Sequence, residues 1–522
     1  MILRVLAVIL AGISMRLISP PISWYPLHWF NLVPVFWAMR PNEDKKNAWL
    51  MYLFGASLLV SNYSWISESI IRFSNFPVVL AWACVVGYAF LFATPFWALG
   101  YATQWTRQRF GIWWIWILPA LQVALEFLWP SLFPYYHGAL FYRSTWSWQW
   151  ASVFGVTGLS YLIFLSNAAI CEFGIYGRKK ISINRKHLIG IVLLFVVHNI
   201  FGMVRYSNVE QQLSEAPVLR AAILQRDVTM EHRLKRSPWV SIQAWYDLTL
   251  EVAKEKPDLV VWPEGAMGGP FNPDDERQYR ALGGKSIKDL FSELTSSHDF
   301  AFLVGGGTIT FHDEANDDGY PNYTAYNSCY LFNRKGEVAG RYDKMVLLPF
   351  GEYIPFSDTF PILKRIIRGP GNFQRGSSVT VFKAKGDNFD YSFTSPICYE
   401  AILHSQMDKM KDSDLFVNIT NDAWFGKTQC PYQHAMLATV QSIQYGRPML
   451  RIGYTGIGMI VEPHGQIRNE TEPFVEVATI GEIRMAQIPT IYRYGGWLFP
   501  WACILGWIGV IFRGRKIETT EC

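Results

Sequence analysis

The chain has 522 residues, of which half are apolar and 16% are aromatic, and its formal net charge is +5. The apolar excess lies before residue 210 and after residue 495, which excludes a purely soluble protein, whereas the middle has the mixed polarity of a globular domain. Most of the cations lie in short loops between apolar runs, so the net charge does not indicate nucleic-acid binding.

Eight apolar runs are long enough to cross a bilayer, which takes about 20 residues. They cover about 2–19, 24–39, 48–66, 78–103, 111–129, 149–172, 187–204 and 496–512. We do not interpret the first run as a signal peptide, because it lacks a clear small-residue cleavage site and a second run follows at once. The sequence therefore predicts an eight-helix transmembrane bundle with a soluble block between the seventh and eighth helices.

The distribution of Lys and Arg among the short loops predicts the orientation in the membrane. One side holds Arg40, Lys45, Lys46, Arg107, Arg109, Arg178, Lys179, Lys180, Arg185, Lys186, Arg513, Arg515 and Lys516, and the other holds Arg16, Arg72 and Arg143. Because cation-rich loops stay in the cytoplasm, we expect both termini there and the soluble block outside. The predicted domains are residues 1–207 with seven helices, 208–493, and 494–522 with the eighth helix and a cytoplasmic tail.

Aromatic residues are concentrated near the predicted outer boundary. Segment 130–147 (PSLFPYYHGALFYRSTWS) is too broken to span a bilayer, and we expect it to lie along the membrane-water boundary. Aromatic residues at run ends, such as Trp24 and Trp497, fit either an interfacial belt or ordinary helix packing, and the sequence leaves both open.

The soluble block alternates strand-like and helix-like runs. The predicted strands are Leu219–Leu224, Asp258–Trp262, Phe300–Val304, Tyr391–Ile397 and Leu415–Ile419, the predicted helices are Trp239–Glu255, Lys285–Ser297 and Tyr432–Tyr445, and the predicted hairpins are Tyr326–Arg341 and Met449–Ile467. This alternation predicts an α/β fold in which two sheets pack face to face between layers of helices, an α-β-β-α sandwich.

Three ionisable residues stand at or just beyond strand ends in this block. Glu264 follows the strand that ends in Trp262, Lys344 follows the first hairpin, and Cys398 follows the strand in DYSFTSPICYEAIL. Strand ends on one sheet edge converge even when they are distant in sequence. Taken singly, each residue also has an ordinary interpretation, as a turn cap, a surface charge and a buried core thiol respectively.

Four segments of the block resemble, in order, those of the apolipoprotein N-acyltransferase branch of the nitrilase superfamily. They are VVWPEG, GRYDKMVLLPFGEYIP, SPICYEAI and VNITNDAWFGK, and the eight predicted spans resemble that branch as well. The resemblance implies a catalytic triad of Glu264, Lys344 and Cys398, with Glu352 as a supporting carboxylate. It also implies that Tyr399, Glu400 and Trp424 lie beside the pocket, Trp424 as a substrate-binding residue.

The resemblance further implies a phospholipid acyl donor and a diacylated lipoprotein as acceptor, no cofactor, and a location in the bacterial inner membrane with the catalytic block in the periplasm. Acyl transfer needs a nucleophile, a base and a donor for the oxyanion. Cys398 can supply the sulfur, Glu264 can take its proton, and Lys344 can stabilise the oxyanion with the backbone N–H of Tyr399. We expect a ping-pong reaction through a thioester on Cys398. The sequence leaves the oligomeric state open and favours a monomer.

Several positions depart from the family pattern: Asp227 stands where we expect asparagine, and a tryptophan expected about thirty residues before Glu264 is absent. Arg226 follows Gln225 where we expect glycine, and Tyr454 stands where we expect asparagine, so acyl-chain length and head-group preference stay open. A disulfide between Cys329 and Cys430 is compatible with an oxidising compartment but is not established by sequence. We expect no metal site, because no Cys or His pair has zinc-like spacing, and His434 and His464 are interpreted as structural.

Two other functions stay open at this stage. One is a membrane-tethered hydrolase of the same superfamily that cleaves C–N bonds with water. The other is a catalytically idle scaffold that binds lipid or lipoprotein. The presence of all three triad residues favours an enzyme over the scaffold.

Overall fold

The computed structural model describes residues 1–74, 76–176, 185–227, 238–273, 285–315, 321–357, 359–363 and 372–520. The loop cations Arg178, Lys179 and Lys180, and Cys522, lie outside the described residues. The helices are α1 Ile2–Ile18, α2 Val33–Ala38, α3 Asp44–Asn62, α4 Trp65–Ser74, α5 Val78–Phe92, α6 Thr94–Phe110, α7 Trp114–Leu128, α8 Ala151–Ala169, α9 Arg185–Ser214, α10 Pro238–Ala253, α11 Ile287–His298, α12 His404–Met410, α13 Cys430–Tyr445, α14 Ile491–Tyr494 and α15 Phe499–Thr520.

Four helical stretches in the described part of the chain are long and apolar enough to cross a membrane, fewer than the eight predicted spans. They are Val78–Leu128, Ser147–Ile175, Arg185–Ser214 and Gly496–Gly514, and the first contains two of the predicted runs. The run at 24–39 differs most from expectation, since it forms a 3-10 turn, Tyr25–Trp29, and the short α2. Pro26 and Pro34 each start one of these pieces, because a proline lacks the N–H that a continuous helix needs.

The soluble block contains two six-stranded sheets. The strands are β1 Val218–Gln225, β2 Leu259–Trp262, β3 Ala301–Ala315, β4 Pro321–Phe332, β5 Val338–Asp343, β6 Phe382–Lys385, β7 Asp390–Thr394, β8 Leu415–Thr420, β9 Met449–Gly453, β10 Met459–Val461, β11 Ile467–Arg468 and β12 Val477–Arg484. The first sheet has the order β12-β1-β2-β3-β4-β5 and the second has the order β11-β10-β9-β8-β7-β6. The sheets face each other, with β1 against β9 and β10 against β12.

Helices cover the outer faces of the sheets, which confirms the predicted α/β class. Helices α10 and α11 pack on the first sheet in a core that includes Trp245, Trp262 and Phe291. On the second sheet, Tyr445 of α13 packs edge-on against Phe416 of β8. This layering follows from strands that are apolar on both faces and therefore need cover on both.

Two strands of the structure, β6 and β12, were not predicted from the sequence. Strand β12 pairs antiparallel with β1 from Val218↔Arg484 to Gln225↔Val477, and β6 pairs with β7 at the edge of the second sheet. The last predicted hairpin is also divided differently. Its turn at residues 463–465 joins β10 to the two-residue β11, while β9 pairs with β10 across a separate loop.

The helical bundle sits against the second sheet's helix layer. Helix α13 packs on α8, and Trp65 donates a 3.0 Å hydrogen bond from Nε1 to Oε1 of Gln433. At the other end of the bundle, Arg4 pairs with Glu43 and Arg109 donates to the carbonyl of Gly514. Gln108 also donates from Nε2 to Oδ1 of Asn42, so the chain near residues 40–46, the chain near residues 107–111 and the end of α15 meet at one end of the bundle.

Segment 130–147 lies between the bundle and the soluble block. The ring of Phe133 packs against Phe425 and Tyr399, with centroids 5.9 and 5.7 Å away, and Ala139, Leu140 and Phe141 are buried. The segment thus joins the bundle to the loops that follow β7 and β8.

Candidate active site

Cys398 stands at the corner where the chain leaves β7 and enters the 3-10 turn Cys398–Ile402. A bridge between Ile397 and Ile419 fixes this corner beside β8. Cys398 has φ of +53°, in the left-handed region that a residue with a side chain seldom adopts. Such strain persists only where the surroundings impose it, and it is concentrated at functional positions.

Lys344, directly after β5, lies between two carboxylates. Its Nζ donates to Oε1 of Glu264 at 3.3 Å and to Oε1 of Glu352 at 2.9 Å. The ammonium is buried, with 1% of the side chain exposed, and both glutamates are largely buried. A buried ammonium needs such partners because desolvation without a counter-charge is costly. The predicted approach of Glu264 and Lys344 is therefore present in the structure.

Asn327 of β4 completes this arrangement and was missed in the sequence. Its Nδ2 donates to Oε1 of Glu264 at 2.7 Å and to Oε1 of Glu352 at 2.6 Å. The signal in the sequence was an amide inside the predicted hairpin Tyr326–Arg341, two residues before the apolar run 329–332, where a polar side chain needs a partner if it is buried. We refer to Glu264, Asn327, Lys344 and Glu352 as the Lys344 cluster.

A glycine on β3 allows the turn that carries Glu264 to pack closely. A Cβ atom at Gly305 would lie 2.5 Å from the carbonyl oxygen of Pro263 and 2.9 Å from Cα of Glu264. Any larger residue would push the turn away from the sheet. The backbone of Glu264 is therefore held against β3, and its carboxylate is fixed by Asn327 and Lys344.

The thiol of Cys398 interacts electrostatically with the Lys344 cluster. Burial raises the pKa of Cys398, the negative charge of Glu264 raises it further, and Lys344 offsets only part of this. For Lys344, burial alone would lower the pKa, but Glu264 and Glu352 outweigh burial and hold it well above its ordinary value. At neutral pH the thiol is therefore protonated and the amine is charged.

The buried carboxylate of Glu400 fixes the Cys398 corner through hydrogen bonds. Its carboxylate accepts hydrogen bonds from the backbone N–H groups of Met345, Val346 and Ile397 at 2.7 to 2.9 Å and from the hydroxyl of Tyr342. Burial raises its pKa to about 7, and these hydrogen bonds oppose the rise. Glu400 thereby joins the chain after Lys344 to the residue before Cys398.

Tyr399 points toward the helical bundle. Its hydroxyl donates a 2.6 Å hydrogen bond to the carbonyl of Leu132, and its ring packs against Phe133. The side chain of Tyr399 therefore connects the Cys398 corner to segment 130–147.

Trp424 lies in the 3-10 turn Asp422–Phe425 that follows β8 and is half-buried. Because β7 and β8 are parallel neighbours, this turn and the Cys398 corner share one sheet edge. The neighbouring Phe425 is buried against Trp65 of the bundle, at a ring separation of 5.4 Å. This position is compatible with the predicted placement of Trp424 beside the pocket.

A second buried charged group lies behind this turn. Asp422 accepts hydrogen bonds from Nη2 of Arg451 at 2.9 Å and from Nδ1 of His434 at 2.8 Å, and Arg451 also donates to Oδ1 of Asn418. Burial alone would raise the pKa of Asp422, but His434 and Arg451 outweigh burial and lower it. We refer to Asn418, Asp422, His434 and Arg451 as the Arg451 cluster. His434 is therefore part of this network.

His464 also has charged neighbours, so it does not stand alone as the sequence suggested. Its Nε2 lies 2.9 Å from Glu210 and 3.8 Å from Glu462. Arg484 and Arg468 pair with the same two carboxylates. The two guanidinium groups already neutralise the two carboxylates, so these side chains are poorly suited to binding a cation. Their ion pairs instead join α9 to the last hairpin.

Two of the departures from the family pattern, Arg226 and Tyr454, contact each other. The backbone N–H of Arg226 donates to the carbonyl of Tyr454 at 3.1 Å, and the guanidinium of Arg226 and the ring of Tyr454 both lie against Trp245. Cys329 and Cys430 are both free and buried, so the structure has no disulfide between them.

Family comparisons match both halves of the chain. A family model described as Apolipoprotein N-acyltransferase N-terminal domain matches residues 11–169, and one described as Carbon-nitrogen hydrolase matches residues 220–493. The apolipoprotein N-acyltransferase of Geobacter metallireducens is 28% identical over 96% of this chain and 93% of its own length. That of Rickettsia prowazekii is 26% identical over 88% of each chain.

Solved structures show a weaker similarity. A Cys-to-Ala variant of an amidase of the nitrilase superfamily from Nesterenkonia covers 53% of this chain and 93% of its own, with 14% identity and a TM-score of 0.36. A carbon-nitrogen hydrolase from Helicobacter pylori covers 55% of this chain and 94% of its own, with 15% identity and a TM-score of 0.35.

Proposed function

The chain belongs to the carbon-nitrogen hydrolase family and, within it, to the apolipoprotein N-acyltransferase branch, and we propose that it transfers an acyl chain from a phospholipid to the N-terminal amine of diacylglyceryl-cysteine on lipoproteins. The observation that supports this proposal most directly is the Lys344 cluster beside Cys398 at the strand ends. Both substrates are membrane-bound, which accounts for a catalytic block attached to a bundle of apolar helices.

The first half-reaction forms a thioester. Because the pKa of Cys398 is raised, the thiol needs a base, and Glu264 takes its proton as sulfur attacks the ester carbonyl. The oxyanion is stabilised by the ammonium of Lys344, assisted by the backbone N–H of Tyr399. The C–O bond then breaks, and the departing alkoxide of the lysophospholipid takes the proton from Glu264.

The second half-reaction forms the amide. The lipoprotein amine attacks the thioester and loses a proton to Glu264, and Lys344 again stabilises the oxyanion. The C–S bond breaks and the thiolate recovers the proton, which returns the enzyme to its starting state. Glu352 and Asn327 act as positioning residues that orient Lys344 and Glu264, Glu400 supports the corner, and Trp424 contacts substrate at the pocket mouth. No cofactor or metal enters these steps.

We further propose that residues 1–207 and 494–522 form the membrane part, with both termini in the cytoplasm, and that residues 208–493 form a periplasmic catalytic domain. The contacts among cation-rich loops at one end of the bundle support this orientation. Single cysteines at Lys45 and Lys335 test it, in a background that lacks the native cysteines. A membrane-impermeant maleimide should label position 335 in intact spheroplasts and should leave position 45 unlabelled.

The test of the activity uses the full-length protein with phospholipid and a diacylated lipopeptide. We expect N-acylated lipopeptide, together with a hydroxylamine-labile mass gain of one acyl group on the protein before acceptor is added. Cys398→Ala should abolish both signals, whereas Cys84→Ser, which changes an exposed free thiol, should leave them intact. Free fatty acid or ammonia as the only product would instead indicate a hydrolase, and full lipoprotein maturation by Cys398→Ala would indicate a scaffold.

A further inference from the structure

A groove on the outside of α9 is lined by residues that do not belong to the Lys344 cluster. It has a volume of about 530 Å³, and one wall is formed by Val197, Ile200, Phe201 and Val204 of α9. Ile488 and Pro489, just after β12, form part of the opposite wall. Val197, Ile200 and Val204 are each at least half exposed, so the wall is apolar and accessible.

Arg205 lies at the polar end of this groove, next to Asn208. Its Nε and Nη2 are buried and make no hydrogen bond among the residues that the structure describes. By contrast, Arg143 pairs with Glu470 and Arg72 pairs with Glu68. A desolvated guanidinium without a counter-charge is unfavourable, so this end of the groove favours an anion.

The position of Arg205 along α9 matches the depth of lipid phosphates. The helix begins at Arg185, and 20 residues at a rise of 1.5 Å bring Arg205 about 30 Å further along the axis. The hydrocarbon core of a bilayer is about 30 Å thick. With Arg185 and Lys186 at one boundary, Arg205 reaches the head groups at the other, and the apolar wall below it lies at the level of acyl chains.

We propose that this groove binds one glycerophospholipid, with its phosphate on Arg205 and an acyl chain along Val197, Ile200 and Val204. A guanidinium is the side chain best suited to phosphate, and the apolar wall excludes a free phosphate ion as the preferred ligand. The bound lipid fills the space between α9 and the chain that leaves β12, and so supports the junction between bundle and soluble block. This inference does not rest on the proposed acyl transfer.

The test uses full-length protein with Cys398→Ala, so that the probe is not consumed, in lipid nanodiscs with a phosphatidylglycerol that carries a diazirine in one acyl chain. After irradiation, peptide mass spectrometry should find labelling within residues 197–208. Arg205→Gln should lower that labelling at least about tenfold, as expected for loss of a charge-assisted hydrogen bond. Arg205→Lys should retain part of it, and Arg143→Gln should leave it unchanged.

Two further probes make the result decisive. A diazirine diacylglycerol with the same chains but no phosphate should label residues 197–208 at least about tenfold less, and inorganic phosphate should not compete with the phospholipid probe. Equal labelling by the diacylglycerol, unchanged labelling of Arg205→Gln in a folded protein, or displacement by inorganic phosphate would each overturn the proposal. Labelling near residue 398 reports on the active site separately, so failure of one proposal is distinguishable from failure of the other.

Discussion

Two buried groups of charged side chains adjoin the Cys398 corner, and they differ in charge balance. The Lys344 cluster has two carboxylates around one ammonium, so it carries an excess negative charge when both carboxylates are ionised. In the Arg451 cluster, a single carboxylate faces a guanidinium and an imidazole. A surplus carboxylate can accept a proton during a reaction, whereas a neutralised one is held in its ionised form. The first cluster is therefore suited to chemistry and the second to maintaining shape.

The sharpest test of this difference is Glu264→Gln in the Lys344 cluster. Removal of a general base typically lowers the rate by about 10² to 10⁴-fold, and we expect kcat for acyl transfer to fall by that amount. The fold should persist, because the amide fits the same space and Lys344 keeps Glu352. Kinetics of lipopeptide acylation measure the effect. Glu255→Gln, on an exposed residue after α10, is the control, and equal loss in both variants would contradict the assignment.

The Arg451 cluster should respond in the opposite way, through stability. Arg451→Met leaves Asp422 buried without its guanidinium partner and with only hydrogen bonds such as that from His434, and breaking a buried ion pair costs about 3–5 kcal/mol. We expect a lower Tm for the full-length protein in detergent. Arg493→Met removes a pair with the exposed Asp412 and should cost about 1 kcal/mol or less. Equal Tm values for the two variants would remove the distinction between the clusters.

Glu400 predicts a pH dependence of stability. Its pKa is about 7 in the folded protein against an ordinary value of 4.5, so between these values the folded state binds more protons than the unfolded state. Stability should therefore fall as pH rises from about 5 to 7, by about 1–3 kcal/mol from this group. Thermal unfolding of the wild type and of Glu400→Gln across this range measures it. The variant should lack this component, and parallel profiles would show that Glu400 does not titrate there.

The smallest expected effect belongs to Asn327→Ala. Without the amide, Glu264 and Glu352 each lose a hydrogen bond, while Lys344 keeps its contacts with both. We expect kcat to fall about tenfold with little change in KM, since one hydrogen bond to a charged group is worth about 1.5–3 kcal/mol and part of the orientation remains. Asn388→Ala, at an exposed position, is the control. A change in KM alone would indicate that Asn327 affects substrate binding instead.

Much of the block could be predicted from sequence because its signals are local. Strands β1, β2 and β8 are short apolar runs bounded by polar residues, and α10 and α13 follow such runs. The two strands that were missed lack this signal. β12 reads VATIGEIR, with a glycine and two charges, and it is a strand because β1 offers it an edge along eight residue pairs.

The order of residues along the chain by itself determined the α/β class, the two apolar regions, the positions of Glu264, Lys344 and Cys398 after strands, and the family resemblance. Only the tertiary structure decided that Asn327 connects two carboxylates, that Asp422 meets Arg451, and that Arg205 lies beside a groove. Periodicity and composition report on neighbours within a few residues, whereas these contacts join side chains from different strands and helices. Their partners exist only once the sheets and the bundle have packed together.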